Sequence, residues 1–384
     1  MVSIPNNAIV EEIDSQEKQL LKLLISVTRI PSPTGLEKNK IQFIKKYIQD
    51  HGIETISIDT VGNCIVQLPS KSNNVKKTIL VVAHADTACD SGETVSVKED
   101  EKYIYGHGSC DNSSGITALL TTLVFIKRYN LQFPHNLIIA FTVGEEGLGA
   151  KRGMKQIINQ YGKQIDAVIN VESHPIGRLT NQVVGQYRGE LVINIKTGGH
   201  SFRDFGKPNA NVILSNVITD FSRTAFPQTK GKTTFNFAQL KGDGSINALS
   251  SHASCLFEIR SEDNQQLQKA IDLFSNILKD CRKQFPTVEI HSTVSAHVPA
   301  VIFPKKHKIY QLTQEVQKIL GITPQFTSGN TDGDVSLAAG IPTVTIGTSN
   351  GGNTHSLDEY MERKSLTRGI KQAFLTIYTI ASRF

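Results

Sequence analysis

The sequence predicts an α/β protein interrupted by an inserted α+β domain. Two observations predict it. Strand and helix patterns alternate through the first third of the chain and again beyond residue 300. Between about 187 and 298 the order becomes β-α-β-β-α-β, with strands that alternate in and out, the ferredoxin-like pattern. The 384 residues, 39% of them hydrophobic, are enough for two domains. Residues 1–186 and 299–384 are assigned to the α/β domain and 187–298 to the insertion, a normal domain size.

Taken in order, helices are expected at 16–28 and 37–51, followed by the apolar strand 78–83. After the polar DNSSG, Ile116, Leu119, Leu120, Leu123 and Ile126 recur at helical spacing, with Asn112 or Ser113 as N-cap. Strands at 137–143 and 166–171 follow. In the insertion, Leu191, Ile193 and Ile195 mark the first of four strands, near 188–197, 232–240, 252–260 and 287–297. Helices near 209–224 and 263–285 separate them. A helix at 307–320 and the strand 342–347 return the chain to the α/β pattern.

The net charge of +6 is spread without a basic block, which argues against nucleic acid or a membrane surface as partner. The polar start MVSIPNNAIVEEIDSQEKQ lacks a secretory signal, and no apolar run reaches the ~18 residues of a span, so a cytoplasmic protein is expected. Five unclustered cysteines, at 64, 89, 110, 255 and 281, speak against a disulfide framework or a thiolate metal site. Cys110 precedes Asp111 and Cys89 follows His84, but neither has a nucleophile turn, and both are read as packing residues or as residues that support the site from behind.

The chemistry gathers where strands end. Strand 78–83 runs into His84-Ala85-Asp86, 137–143 into Glu145-Glu146, 166–171 into Glu172, and 342–347 through a glycine-rich turn to His355. In open α/β sheets function collects beyond the carboxyl ends of the strands, so residues about 270 apart in sequence can converge there. Asp111, just before a helix, joins the same rim. These N and O donors suit zinc or a similar divalent ion, and with Asp111 as a bridge their number serves two. Asp86 is expected to take the second N–H of the His84 imidazole and fix its tautomer. Buried unpaired, the two adjacent glutamates would cost several kcal/mol. At a strand end they can diverge, one binding metal and the other serving as general base toward water.

Together with IPSPTG at 30–35, HADT at 84–87, GHGSCDNSSG at 106–115, GEEG at 144–147, VES at 171–173, GGHSF at 198–202, SINALSSHASCLFEIRS at 245–261 and TDGDVSLAAGIPTVTIGTSNGGNTHSLDE from 331, these residues carry a resemblance over nearly the whole chain. It is to the co-catalytic di-zinc metallopeptidases that include peptidase T, acetylornithine deacetylase, succinyl-diaminopimelate desuccinylase and the glutamate carboxypeptidases. The resemblance implies a zinc-peptidase-like catalytic domain with a mixed, mostly parallel sheet, and a ferredoxin-like lid and dimerisation domain. By it, His84 and Glu172 would hold one metal, Glu146 and His355 the other, with Asp111 between them. Glu145 would be the general base. His200, from the lid of a partner copy, would stabilise the oxyanion, which implies a homodimer. Arg260 and Asn247 would bind a substrate carboxylate. A cis bond after Asp111 is also implied.

The sequence departs from the desuccinylase-like members after Asp111, where those commonly carry a lysine two residues on and this chain has Ser113. The implied reaction is amide hydrolysis with two Zn2+, or Co2+ or Mn2+, as cofactors. The segment from 331 looks more like peptidase T and the aminopeptidases, so a small-peptide exopeptidase is the first reading and an N-acyl amino acid deacylase the second. An inactive metal-binding scaffold ranks lower, because every ligand and base position is filled.

Overall fold

The structure is a computed structural model that describes residues 7–70, 77–88, 95–173, 175–224 and 231–384, without the side chain of residue 148. It divides into two compact units, one formed by Met1–Asn181 and Phe303–Phe384, the other by Gln182–Ile302.

At the heart of the first unit, the strands Asn136–Thr142, Thr78–His84, Ala167–Glu172 and Thr343–Gly347 lie side by side in that order, all parallel. Antiparallel strands flank them, Cys64–Leu68 and Ile56–Ile58 on one side and Arg178–Val183 on the other. Thr78–His84 is buried along its whole length. Its Ile79, Val81 and Ala83 join a core made with the helices Glu17–Thr28, Ser113–Arg128 and Ser365–Arg383, whereas Leu80 and Val82 pack with Met154, Ile157 and Ile341 on the opposite face. A strand covered on both faces needs a continuous apolar run, which is what the sequence provides.

Helix Ser113–Arg128 departs from the amphipathic pattern that its leucines suggest. Thr117, Thr121 and Thr122 are buried as well, and each hydroxyl donates to the carbonyl four residues earlier, at 2.7, 2.7 and 2.8 Å. The reason is helix Ser365–Arg383, absent from the expected elements, which covers its outer side, with Phe125 and Phe374 in edge-to-face contact. Helix Asn7–Ser15 was likewise not expected.

The second unit is an antiparallel sheet ordered Thr233–Gly242, His252–Ser261, Gly185–Asn194 and Glu289–Val298. Numbered along the chain this is 2-3-1-4, the ferredoxin-like order. Leu191, Ile193 and Phe257 face helices Ala210–Ser222 and Asn264–Gln284 through Phe221 and Phe274. Asn209 and Asp263 cap those two helices, accepting from Asn211 N at 3.0 Å and Gln266 N at 2.9 Å. The first strand begins three residues earlier than the pattern suggests. Gly185 and Gly189 both belong to it, and the sheet is tight there: a Cβ on Gly189 would stand 1.9 Å from Thr293 O and 2.7 Å from the Phe257 ring.

Among the described residues no helix is long and apolar enough to cross a membrane. Cys64, Cys110, Cys255 and Cys281 are buried free thiols. Burial pushes Cys64 up to about 12 and Cys255 up to about 11, and raises Cys110 too, so none is primed as a nucleophile. Cys89 lies outside the described residues.

Candidate metal centre and its positioning shell

The four parallel strands lead their candidate ligands toward one end of the sheet. His84 is the last residue of its strand and Glu172 the last of the next. Glu145 and Glu146 follow Asn136–Thr142 through Gly144, whose φ of +68° makes the sharp exit. His355 lies in the loop between Gly351–Gly352 and Tyr360–Glu362, two strands of a small separate sheet. Asp111 precedes helix Ser113–Arg128, and its bond to Asn112 is cis, as the resemblance implies. Asn112 is the N-cap: its oxygen accepts from Gly115 N at 3.2 Å, and its amide donates to Val171 O at 2.9 Å, beside Glu172.

Three groups of potential ligands result: His84, Asp111 and Glu172; Asp111, Glu146 and His355; and His84, Glu145 and Glu146, with ligand atoms within 4.8 Å of one another in each. Asp111 joins the first two. One of its oxygens lies 3.0 Å from His84 Nε2, the other 3.4 Å from His355 Nε2. Glu172 stands 3.8 Å from His84 Nε2, and Glu146 3.1 Å from His355 Nε2. His84 is 2% exposed at its side chain and His355 55%.

The electrostatics of this cluster fit divalent cations. Burial, reinforced by repulsion from neighbouring carboxylates, raises Glu145 well above the usual range and pushes Glu172 up to about 7. Hydrogen bonds to Asp111 and then Glu146 lift His355 to about 10. Burial lowers His84, but hydrogen bonds to Asp111 and Asp86 outweigh it and hold the imidazole well above its ordinary value. Four carboxylates crowded around two imidazoles call for positive charge, and the hard oxygen and imidazole donors suit two divalent ions.

Asp86 departs from its expected role. His84 Nδ1 lies 3.1 Å from the backbone carbonyl of Asp86 and 3.7 Å from its carboxylate. The carboxylate instead accepts the backbone N–H of Glu145 at 3.0 Å and of Glu146 at 2.9 Å, along with the Thr34 hydroxyl at 2.9 Å. Although burial opposes it, the nearby His84 and then the backbone N–H groups of Glu145 and Glu146 hold Asp86 down at about 2. A carbonyl fixes the tautomer as well as a carboxylate does, which frees the side chain to shape the two-glutamate turn.

The remaining three expected residues belong to the second unit. His200 pairs with Ala248, and Ser201 N donates to Asn247 O at 2.9 Å, which brings the His200 and Asn247 turns together. His200 Nδ1 accepts from Phe202 N at 3.2 Å, leaving Nε2 to carry the proton. Asn247 Oδ1 accepts from Ser245 Oγ at 2.9 Å. Arg260 is engaged: its Nε is 2.8 Å from Glu258, which also pairs with Arg188.

Among the buried carboxylates that sequence reasoning missed, two stand next to the candidate residues. Asp332 accepts from Thr142 Oγ1 at 2.5 Å, under the strand that leads to Glu145, and burial pushes it up to about 6. Glu359 accepts from the backbone of the Asp111 loop. Both lie inside the segment 331–359, but an acid beside glycine, as Asp332 is, or beside another acid, as Glu359 is, reads as a loop residue until its partners are known.

Comparison with known proteins gives the fold and the family. Peptidase T from Exiguobacterium is 22% identical over 93% of this chain and 94% of its own length. A tripeptidase from Staphylococcus aureus, at 23% identity, superposes with a TM-score of 0.79 over 96% of this chain and 99% of its own. A Bacillus subtilis protein described as a dinuclear metal-binding peptidase, at 13% identity, gives 0.68 over 95% and 98%. These two structures share the fold. Residues 80–378 match the model of Peptidase family M20/M25/M40, and the chain therefore belongs to that family as a metallopeptidase.

Proposed function

We propose that this metallopeptidase is an exopeptidase of small peptides that uses two divalent ions. The observation that carries the reading is Asp111, a single carboxylate whose two oxygens face two histidines, each with its own acidic partner. His84, Glu172 and Asp111 would hold one ion; Glu146, His355 and Asp111 the other. Bound there, zinc, or cobalt or manganese on the same donors, supplies Lewis acidity and makes water acidic enough to ionise near neutral pH.

The chain's own groups do the rest. Glu145 is buried beside His84 and Glu146, takes the proton from the attacking water and returns it to the leaving amine. Asp86 keeps Glu145 apart from Glu146 by fixing the backbone of both. His200, with its proton on Nε2, donates to the developing oxyanion in the site of a partner copy, so the working form is a homodimer. Asn247 and Arg260 meet the substrate carboxylate, for which Arg260 exchanges its ion pair with Glu258. Buried reduced cysteines suit work in the cytoplasm.

Likeness to peptidase T and to a tripeptidase supports peptides over acyl amino acids as substrates. The test is product analysis on di- and tripeptides and on N-acetyl, N-succinyl and N-carbamoyl amino acids, with added Zn2+ or a chelator. Metal-dependent release of amino acids from peptides alone is the expected result. Release only from acylated substrates would make the chain a deacylase, and no metal-dependent release from any would overturn the reading.

A further inference from the structure

Four residues beyond His355, Glu359 is fully buried, and it spends its carboxylate on another loop. Oε1 accepts the backbone N–H of Cys110 and of Asp111, both at 2.8 Å, and Oε2 that of Gly108 at 2.9 Å. The Glu359 carbonyl accepts from Gly106 N at 2.9 Å. His107, also buried, reaches the same segment, with Nδ1 3.0 Å from Ser356 O and 3.7 Å from Glu359 Oε2. Gly108 has a φ of +75°, and a Cβ there would stand 2.6 Å from Thr87, so the loop is bent as well as anchored. Buried Lys40 places its charge near both Glu359 and Asp86.

The consequence follows from where the N–H groups point. Three backbone donors within four residues have one acceptor group among them, and a carboxylate bound this way defines their relative directions. The last of the three belongs to Asp111. The carboxylate therefore sets the backbone from which the Asp111 side chain projects, and it does so from the segment that also carries His355.

We propose that Glu359 is a positioning residue that joins the Asp111 and His355 loops, so that both present their ligands as one preassembled unit. This rests on the reading of Asp111 and His355 as metal ligands. It adds that the geometry of the pair is set by a residue that touches neither ion nor substrate.

Glu359→Gln tests it. The amide keeps one acceptor oxygen but turns an NH2 group against backbone N–H donors. Zn2+ affinity of the full chain, measured by competition with a chromophoric chelator, should weaken 10- to 100-fold, the range typical of lost outer-shell partners. In the metal-free chain, the amides of residues 108, 110 and 111 should exchange with deuterium faster than in wild type, while those of Thr78–His84 do not. Wild-type Zn2+ affinity with unchanged exchange at 108–111 would overturn the proposal, as would a lowered melting temperature alone. Should Glu359→Gln not fold, Glu359→Asp, which keeps the charge but shortens the reach, carries the same readouts. Collapse of both variants would make Glu359 a folding determinant and overturn the positioning role. Failure of wild type to bind Zn2+ would defeat the proposed function instead, and the exchange data would still judge the anchor.

Discussion

Asp86 holds Glu145 by its backbone: the Glu145 N–H meets one carboxylate oxygen at 3.0 Å, and the other oxygen takes the N–H of Glu146. Adjacent glutamates thereby leave one turn in different directions. Asp86→Asn retains the size but offers only one acceptor oxygen to two donors. We expect kcat to fall about 10- to 100-fold, with secondary structure unchanged by circular dichroism. Full activity in this variant would show that the turn holds its shape without the carboxylate.

Glu145→Gln removes the proton acceptor while retaining its volume. Turnover should drop by about 10²- to 10⁴-fold, the range of general acid–base catalysis, while metal content by mass spectrometry stays at the wild-type value. Near-normal turnover would assign the base elsewhere.

Exposure separates the two candidate ion sites. The His355 side chain is 55% exposed and that of His84 2%. Chelator should remove one ion well before the other, and His355→Ala should bind one ion where wild type binds two, read by zinc titration. A single-phase loss in wild type, unchanged in the variant, would argue against two sites of unequal access.

His200 gives a mixing test. Neither His200→Ala nor Glu145→Gln should be active alone, but a mixed dimer holds one site with both residues intact. Subunit exchange should restore about a quarter of the wild-type rate, from half the dimers having one of two sites whole. No recovery in a confirmed mixed dimer would remove the partner-copy role.

Lys40 supplies a pH signature in stability. Burial lowers its pKa from 10.5 to about 8, and the nearby charges of Asp86 and Glu359 offset only part of that. Between pH 8 and 10.5 the unfolded chain binds the proton and the folded chain does not, so stability rises with pH across this window and the burden is full below 8. That contribution amounts to about 3 kcal/mol over the window. Urea unfolding from pH 7.5 to 10 should show the rise in wild type and lose it in Lys40→Met. Parallel curves for the two proteins would place the charge elsewhere.

What could be seen in the sequence follows from locality. His84, Glu145, Glu146 and Glu172 each end or follow an apolar run, so a strand and the candidate site residue at its end are adjacent in the sequence. Asn112 announces its helix in the same way. Glu359 gives no such sign, because its partners are backbone N–H groups some 250 positions earlier, and backbone donors leave no mark in a sequence. Helix Ser365–Arg383 hid for another reason. Gly369, Thr376 and Thr379 are buried with its apolar residues, which blurs the helical period; a Cβ on Gly369 would stand 1.6 Å from Thr348 O. The swap of backbone for side chain at Asp86 was also out of reach, since either oxygen satisfies the same spacing.

The parallel pairing of Thr343–Gly347 with Ala167–Glu172 matches Gly347 with Glu172 across 175 residues of chain. During synthesis the ribosome has released the first three ligand-bearing strands long before the fourth exists. Pairing over such a separation is slow and comes late. A nascent chain therefore carries His84, Asp111, Glu145 and Glu172 before it carries His355, so the candidate group of Asp111, Glu146 and His355 can assemble only after the fourth strand has been made.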